Sequence, residues 1–150
     1  MWVDRYILGK ERVRSNPQKV TRGKLVEKTH FASRSEVIDS IPVLHMSGEV
    51  DLYTAPMFKD AITTPIVQGF AHIVVDMKDV TFMDSSGFGA LLSASKPLRS
   101  VSGSINLASC NEAITRMLEI TRLNALIPVH KTSEEAIAHL SSRQSQFAPV

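Results

Sequence analysis

Residues 80–92 read Val-Thr-Phe-Met-Asp-Ser-Ser-Gly-Phe-Gly-Ala-Leu-Leu, and their reading decides the fold. A short apolar run, Ile73-Val74-Val75-Asp76-Met77, leads into this stretch, and an apolar pattern with helical spacing leaves it. A strand is therefore followed at once by a helix that starts near Ser85 or Ser86. The first N–H groups of a helix lack intrahelical partners, and Ser is a favoured residue to cap them. The same N–H groups and the helix dipole favour negative charge. A serine at this point can thus carry a phosphate without unfolding its own helix, which makes it a candidate for a reversible charge switch.

Working outward, the periodicity predicts strands over Thr29–Ile38 and Ile41–Val50, with Asp39-Ser40 as the turn and Gly48 breaking the second run. Asp51 to Pro56 is a loop that opens a helix, with Thr54 as its cap and Pro56 in its first turn. Met57, Phe58, Ala61 and Ile62 continue that helix as far as Pro65. After the strand Ile73–Met77 and the helix from Ser85, Pro97 ends or kinks the chain, because it lacks an N–H and clashes with the preceding turn.

Ser104–Cys110 reads as a further strand, and Asn111 caps a helix with Ile114, Met117, Leu118 and Thr121 on one stripe. Leu126–His130 is a short strand that contains Pro128 and so belongs at an edge. Thr132 and Glu135 form a capping box for a last helix over Glu134–Leu140, and residues 141–150 read as a loose tail. Helices alternating with strands imply an α/β fold: one domain over 29–140, a mixed β-sheet with about four helices packed on it.

Charge is unevenly spread. Residues 1–28 hold eight basic and three acidic side chains, a net of +5 against +2 for the whole chain, so the remainder carries −3. Residues 1–28 read as a basic N-terminal extension, a solvated or disordered arm. Beyond Tyr6 that arm has no aromatic residue to stack on bases, so no direct DNA binding is expected. No apolar run approaches the roughly 20 residues of a membrane span, and Trp2–Leu8 is too short and too charged for a signal peptide. A cytoplasmic protein with no membrane partner is the expectation.

Signs of catalysis are sparse. Neither Gly-x4-Gly-Lys nor Gly-x-Gly-x-x-Gly occurs; Gly87-Phe88-Gly89 is followed by Leu92 where a third glycine would stand. The five histidines, 30, 45, 72, 130 and 139, never fall in pairs three or four apart, so no metal site is expected. Asp84-Ser85-Ser86-Gly87 lacks the first glycine of a nucleophile elbow. Cys110 precedes a helix cap, where a thiol can become reactive, or it is a buried, inert residue. A protein that is not an enzyme and holds no cofactor is expected.

The segment Phe82-Met83-Asp84-Ser85-Ser86-Gly87-Phe88-Gly89 before one helix, with Gly48-Glu49-Val50-Asp51 before the preceding one, resembles the STAS family. More narrowly it is similar to bacterial anti-sigma factor antagonists of the sporulation and stress-response type. The likeness runs from about residue 35 to 140 and includes Ile105–Ala108 and Leu118–Leu123. It implies a partner, an anti-sigma factor that is itself a serine kinase of the histidine-kinase-like ATPase class. Binding would free a sigma factor, and phosphorylation of Ser86 would end binding; a phosphoserine phosphatase would reset the switch. The partner-binding residues implied are Asp51, Asp84, Ser85, Ser86 and Gly87, with Gly87 allowing close approach of a partner backbone. A monomer or weak homodimer is expected.

An alternative function is a ligand-sensing or scaffold module of a larger signalling complex, without phosphotransfer. Phe88 stands where the family commonly has Leu, Arg122 where Gly is frequent, and Pro97 interrupts the helix.

Overall fold

The structure, a computed structural model, describes residues 30–146, with side-chain burial described to residue 143. The arm read over residues 1–28 lies outside the described residues. Five strands, β1 (Phe31–Ile38), β2 (Ile41–Val50), β3 (His72–Met83), β4 (Ser104–Ala108) and β5 (Val129–His130), form one sheet in the order β1-β2-β3-β4-β5. β1 and β2 are antiparallel; β2, β3, β4 and β5 run parallel. Four helices connect or follow them: α1 (Ala55–Val67), α2 (Ser85–Ser95), α3 (Glu112–Ile120) and α4 (Ser133–Gln146). This is the mixed sheet with four helices that the sequence pattern predicts.

Ile73-Val74-Val75 of β3 is an unbroken apolar run because helices cover both faces of the parallel part of the sheet. Alternate residues point opposite ways. Leu44, Met46, Ile73, Val75, Met77, Ile105 and Leu107 pack with Phe58 and Ile62 of α1, Leu91 of α2, and Ile114 and Leu118 of α3. Val43, Val74 and Ala108 face the other way, onto Ala136 and Leu140 of α4. Each large apolar side chain so buried contributes roughly 1.5–3 kcal/mol, and ten of the largest are fully enclosed, so packing rather than local propensity holds these short helices.

Several boundaries move from their sequence positions, each for a physical reason. The Asp39-Ser40 turn forms as read, both residues at positive φ (53° and 65°), which matches the right-handed twist of a two-residue hairpin. Gly48 does not end β2; it takes φ 101° at an irregularity in the β2–β3 register, and pairing resumes to Val50. β3 continues six residues past Met77 because it stays paired with β2 as far as Val50, beyond the end of β4; Lys78, Asp79, Thr81 and Phe82 are exposed there while Val80 and Met83 stay inside. α1 runs through Pro65 to Val67, two residues from its end.

β4 stops at Ala108 because Ser109 turns to φ 59°, and β5 is only Val129–His130, at the sheet edge as Pro128 requires. α2 stops at Ser95, and Pro97 converts the chain to a 3-10 stretch over Lys96–Val101. Asn111 caps α3 as read, its side chain accepting from Ile114 N at 2.9 Å, but Met117 of the expected stripe is exposed. Thr132 accepts from Glu135 N at 3.0 Å, and α4 then continues to Gln146, so residues 141–146 are helix and not a loose tail.

Candidate functional site

The C-terminal ends of β2 and β3 lie side by side, Val50 opposite Met83, and one helix starts just beyond each. Asp51 and Asp84 are therefore the first residues off two neighbouring parallel strands. A backbone hydrogen bond from Asp84 N to Val50 O at 3.0 Å ties the two exits together. This edge brings Asp51, Asp84, Ser85 and Ser86 onto one end of the sheet, although 33 residues separate Asp51 from Asp84 in the chain.

Asp84, not a serine, is the cap of α2. Its backbone is extended (φ −102°, ψ −171°) and its Oδ1 accepts from Ser86 N at 2.8 Å. Its carbonyl accepts from Gly87 N at 3.0 Å and Phe88 N at 3.3 Å, closing the first turn. Ser85 is exposed and Ser86 half-buried beside it, and neither hydroxyl is taken up in that cap. Asp outranks Ser here because an ionised carboxylate is a stronger acceptor and complements the helix dipole.

Gly87 is buried, and the reason for glycine there lies inside. A Cβ at 87 would stand 2.5 Å from Met83 Cγ and 2.8 Å from Val50 Cγ1. The missing side chain lets α2 sit down on the ends of β2 and β3; it does not open a path for a partner backbone. That openness belongs to Gly89, which is exposed and would meet nothing within 4 Å if it carried a Cβ. Ser85 and Gly89, four residues apart, thus leave the outer side of α2 without bulk.

Asp51 organises the other exit. Its Oδ1 accepts from Tyr53 N at 2.9 Å and Thr54 N at 3.0 Å. Thr54 Oγ1 accepts from Asp51 N at 2.9 Å and donates to Glu49 O at 2.7 Å. With Ala55 N donating to Asp51 O at 2.8 Å, Asp51 holds the capping place one turn before α1. Thr54, read from sequence as the cap, makes no capping bond to α1; it is 4% exposed and occupies the reciprocal position. Oδ2 of Asp51 has no hydrogen-bond partner among the described residues.

Sequence reasoning missed the apolar rim of this edge. Leu52 and Tyr53, directly after Asp51, are 68% and 78% exposed, and Met57 in the first turn of α1 and Phe82 near the end of β3 are about half exposed. A Tyr beside an Asp in a loop carries no periodic signal; only the finished fold shows that these side chains find no core. Burial first, and the charge of Asp76 second, push the Cys110 thiol up to about 12, so its thiolate is scarce at neutral pH. Among the described residues no three His, Cys, Asp or Glu side chains converge on a metal-sized point, and no helix is long and apolar enough to cross a membrane.

Known proteins share this architecture. A family model described as the STAS domain matches residues 32–136. The chain is 30% identical over 94 residues to the anti-sigma-B factor antagonist of Bacillus subtilis, covering 63% of this chain and 85% of that protein. The crystal structure of an anti-sigma factor antagonist from Mycobacterium paratuberculosis superposes with a TM-score of 0.68 at 25% identity, covering 74% of this chain and 94% of that one. SpoIIAA, an anti-sigma factor antagonist, superposes in its unphosphorylated form with a TM-score of 0.64 at 26% identity (74% and 97% covered). The phosphorylated form of SpoIIAA, a Bacillus cell fate determinant, gives 0.58 at 28% identity (73% and 99% covered). With a family match over residues 32–136, most of its length, the chain belongs to the STAS domain family.

Proposed function

We propose that the protein is an anti-sigma factor antagonist that binds an anti-sigma factor of the serine kinase class and is switched off by phosphorylation of Ser86. The observation that carries the reading is the start of α2: a half-buried Ser86 whose N–H is held by Asp84, beside an outer helix face with no bulk at Ser85 and Gly89. The relatives named as antagonists, one of them solved in both phosphorylation states, support it.

The unmodified edge suits a protein partner. Leu52, Tyr53 and Met57 offer apolar contact, and aromatic side chains are favoured anchors in such interfaces. Phosphorylation adds about −1.5 to −2 charge. Asp84 already accepts from the Ser86 N–H, so the phosphate meets a carboxylate where a bare helix start would have offered a free donor. Like-charge juxtaposition in a desolvated contact costs several kcal/mol, on the order of a thousandfold in affinity. Exposure alone favours Ser85 as the acceptor; the order of the motif, with Ser86 directly before Gly87, favours Ser86.

Phosphopeptide mapping after incubation with ATP and the cognate kinase tests the assignment. Label is expected in wild type and Ser85→Ala and is expected to vanish in Ser86→Ala; the reverse pattern moves the site to Ser85. Titration with the anti-sigma factor should show Ser86→Ala binding like wild type and Ser86→Glu weakened on the order of a hundredfold or more. Equal affinities of the two variants would exclude a charge switch.

A further inference from the structure

We infer that β1 is a self-pairing edge through which two copies of this chain form a two-fold dimer, at a surface separate from the α2 start. β1 is the terminal strand of the sheet, and among the described residues no strand pairs with its outer side. It is eight residues long, seven of them exposed, with no proline and an unbroken register against β2. Proteins that avoid edge-to-edge pairing shorten such a strand, bulge it, cover it, or give it proline or charge. Among the described residues β1 is neither short, bulged nor covered and has no proline, and its two charges, Arg34 and Glu36, are opposite in sign and so can pair across a two-fold.

The register of the pairing follows from the hairpin. In a two-residue turn the flanking residues, Ile38 and Ile41, form the narrow hydrogen-bonded pair. Alternation then turns the N–H and C=O of Ile38, Glu36, Arg34 and Ala32 toward β2. Those of Val37, Ser35, Ser33 and Phe31 face outward, unpaired. An antiparallel copy must match these outward groups with each other, so the symmetry axis passes through one residue of β1.

Charge selects which. An axis at Arg34 would set Arg34 against its own copy, and one at Glu36 would do the same with Glu36. An axis at Ser35 sets Arg34 opposite Glu36 of the second copy, twice by symmetry. It also places these two in the non-hydrogen-bonded pairs, where side chains approach most closely. Arg34 is 69% and Glu36 44% exposed; within one copy Glu36 Oε2 accepts from His45 Nε2 at 2.7 Å and lies 3.9 Å from Arg34, and Glu36 Oε1 carries no bond among the described residues, so it is the oxygen left for Arg34 of the second copy. On the α1 side, a hollow of about 250 Å³ lined in part by Ser33, Ser35, Val37, Thr64 and Phe70 leaves room for the side chains of an added strand. The half-exposed Val37 of each copy then lies opposite Ser33 of the other. One strand pair is a small interface, so the dimer forms with rising concentration rather than obligately.

Sedimentation velocity on the full chain over increasing concentration, with Arg34→Glu and Glu36→Arg, tests the pairing. Wild type is expected to move from monomer toward dimer. Each single variant makes the edge all acidic or all basic and should raise the dissociation constant by about tenfold or more. An equimolar mixture of the two variants should recover the dimer, because the acidic edge then faces the basic one. A wild type that stays monomeric, including one whose own N-terminal residues occupy the edge, overturns the proposal. So does a single variant that dimerises like wild type, or a mixture that stays monomeric while both variants keep their melting transitions. If a charge variant fails to fold, Ser35→Pro decides: it deletes an outward N–H, is expected to be monomeric, and overturns the proposal if it dimerises like wild type.

Discussion

Asp51 and Asp84 show how one residue type does similar work at two strand exits. Each carboxylate accepts backbone N–H groups at the start of the following helix, and each is linked to the other exit through Val50 or Asp84 N. For Asp51 the capping bonds carry a definite cost on removal. Asp51→Ala should lower stability by about 0.5–2 kcal/mol, read from a melting curve or denaturant midpoint. Asp51→Asn keeps an acceptor oxygen for Tyr53 N and Thr54 N and should lose less. Because Oδ2 has no partner among the described residues, the Asn variant isolates the charge: it is expected to fold like wild type and to be phosphorylated more slowly at Ser86. A phosphorylation rate equal to wild type would leave Asp51 as a cap alone.

Among the elements, the end of α3 carries a strain that the sequence explains only in hindsight. Arg122 follows the last turn of α3 at φ 62°, a left-handed conformation that glycine adopts freely and a side chain does not. The family resemblance marks this position as one where Gly is frequent, and the backbone supplies the reason. Arg122→Gly should therefore raise stability by about 0.5–1 kcal/mol, measured by thermal or urea unfolding. A destabilised variant would mean that the Arg122 side chain contributes more than its backbone strain costs. The other departures fit without strain: Phe88 is 7% exposed in the main core, and Pro97 falls just past the last α-helical turn of α2.

Across the whole molecule, two histidines tie folding to pH. Burial first, then Arg143, lowers His72 below the usual histidine value of 6.5; burial first, then His139, lowers His130, against a smaller opposing effect of Glu135. The folded state thus favours the neutral rings, and the unfolded chain takes up protons first as pH falls. This contribution to stability is present above about 6.5 and is lost as pH drops through the lower folded values. His72 bonds to Ser104 on the neighbouring strand, and His130 to the buried Asn106, so these rings are held where they pay desolvation on protonation. The melting temperature should fall between pH 7 and 5, and the His72→Gln, His130→Gln double variant should show a shallower fall. An unchanged slope would assign the acid sensitivity to other groups.

What the sequence by itself determined is what local chemistry controls. The strand-to-helix passage at 80–92, the Asp39-Ser40 turn, the Asn111 and Thr132 caps and the stop at Pro97 all depend on residues within a few positions of one another. Hence fold class and element order were legible. The limits of β3 were not, because it is extended by a neighbour distant in the chain, pairing with β2 beyond the end of β4. The candidate site was half legible. Its Asp-Ser-Ser-Gly motif is local, so it could be read. Only the tertiary structure decided that Asp84 rather than a serine caps α2, that Gly87 is demanded by Met83 and Val50, and that Leu52 and Tyr53 are left in solvent. Those outcomes depend on which carboxylate reaches which N–H and which side chains find room once β2 and β3 lie side by side, and such distances exist only after the sheet has closed.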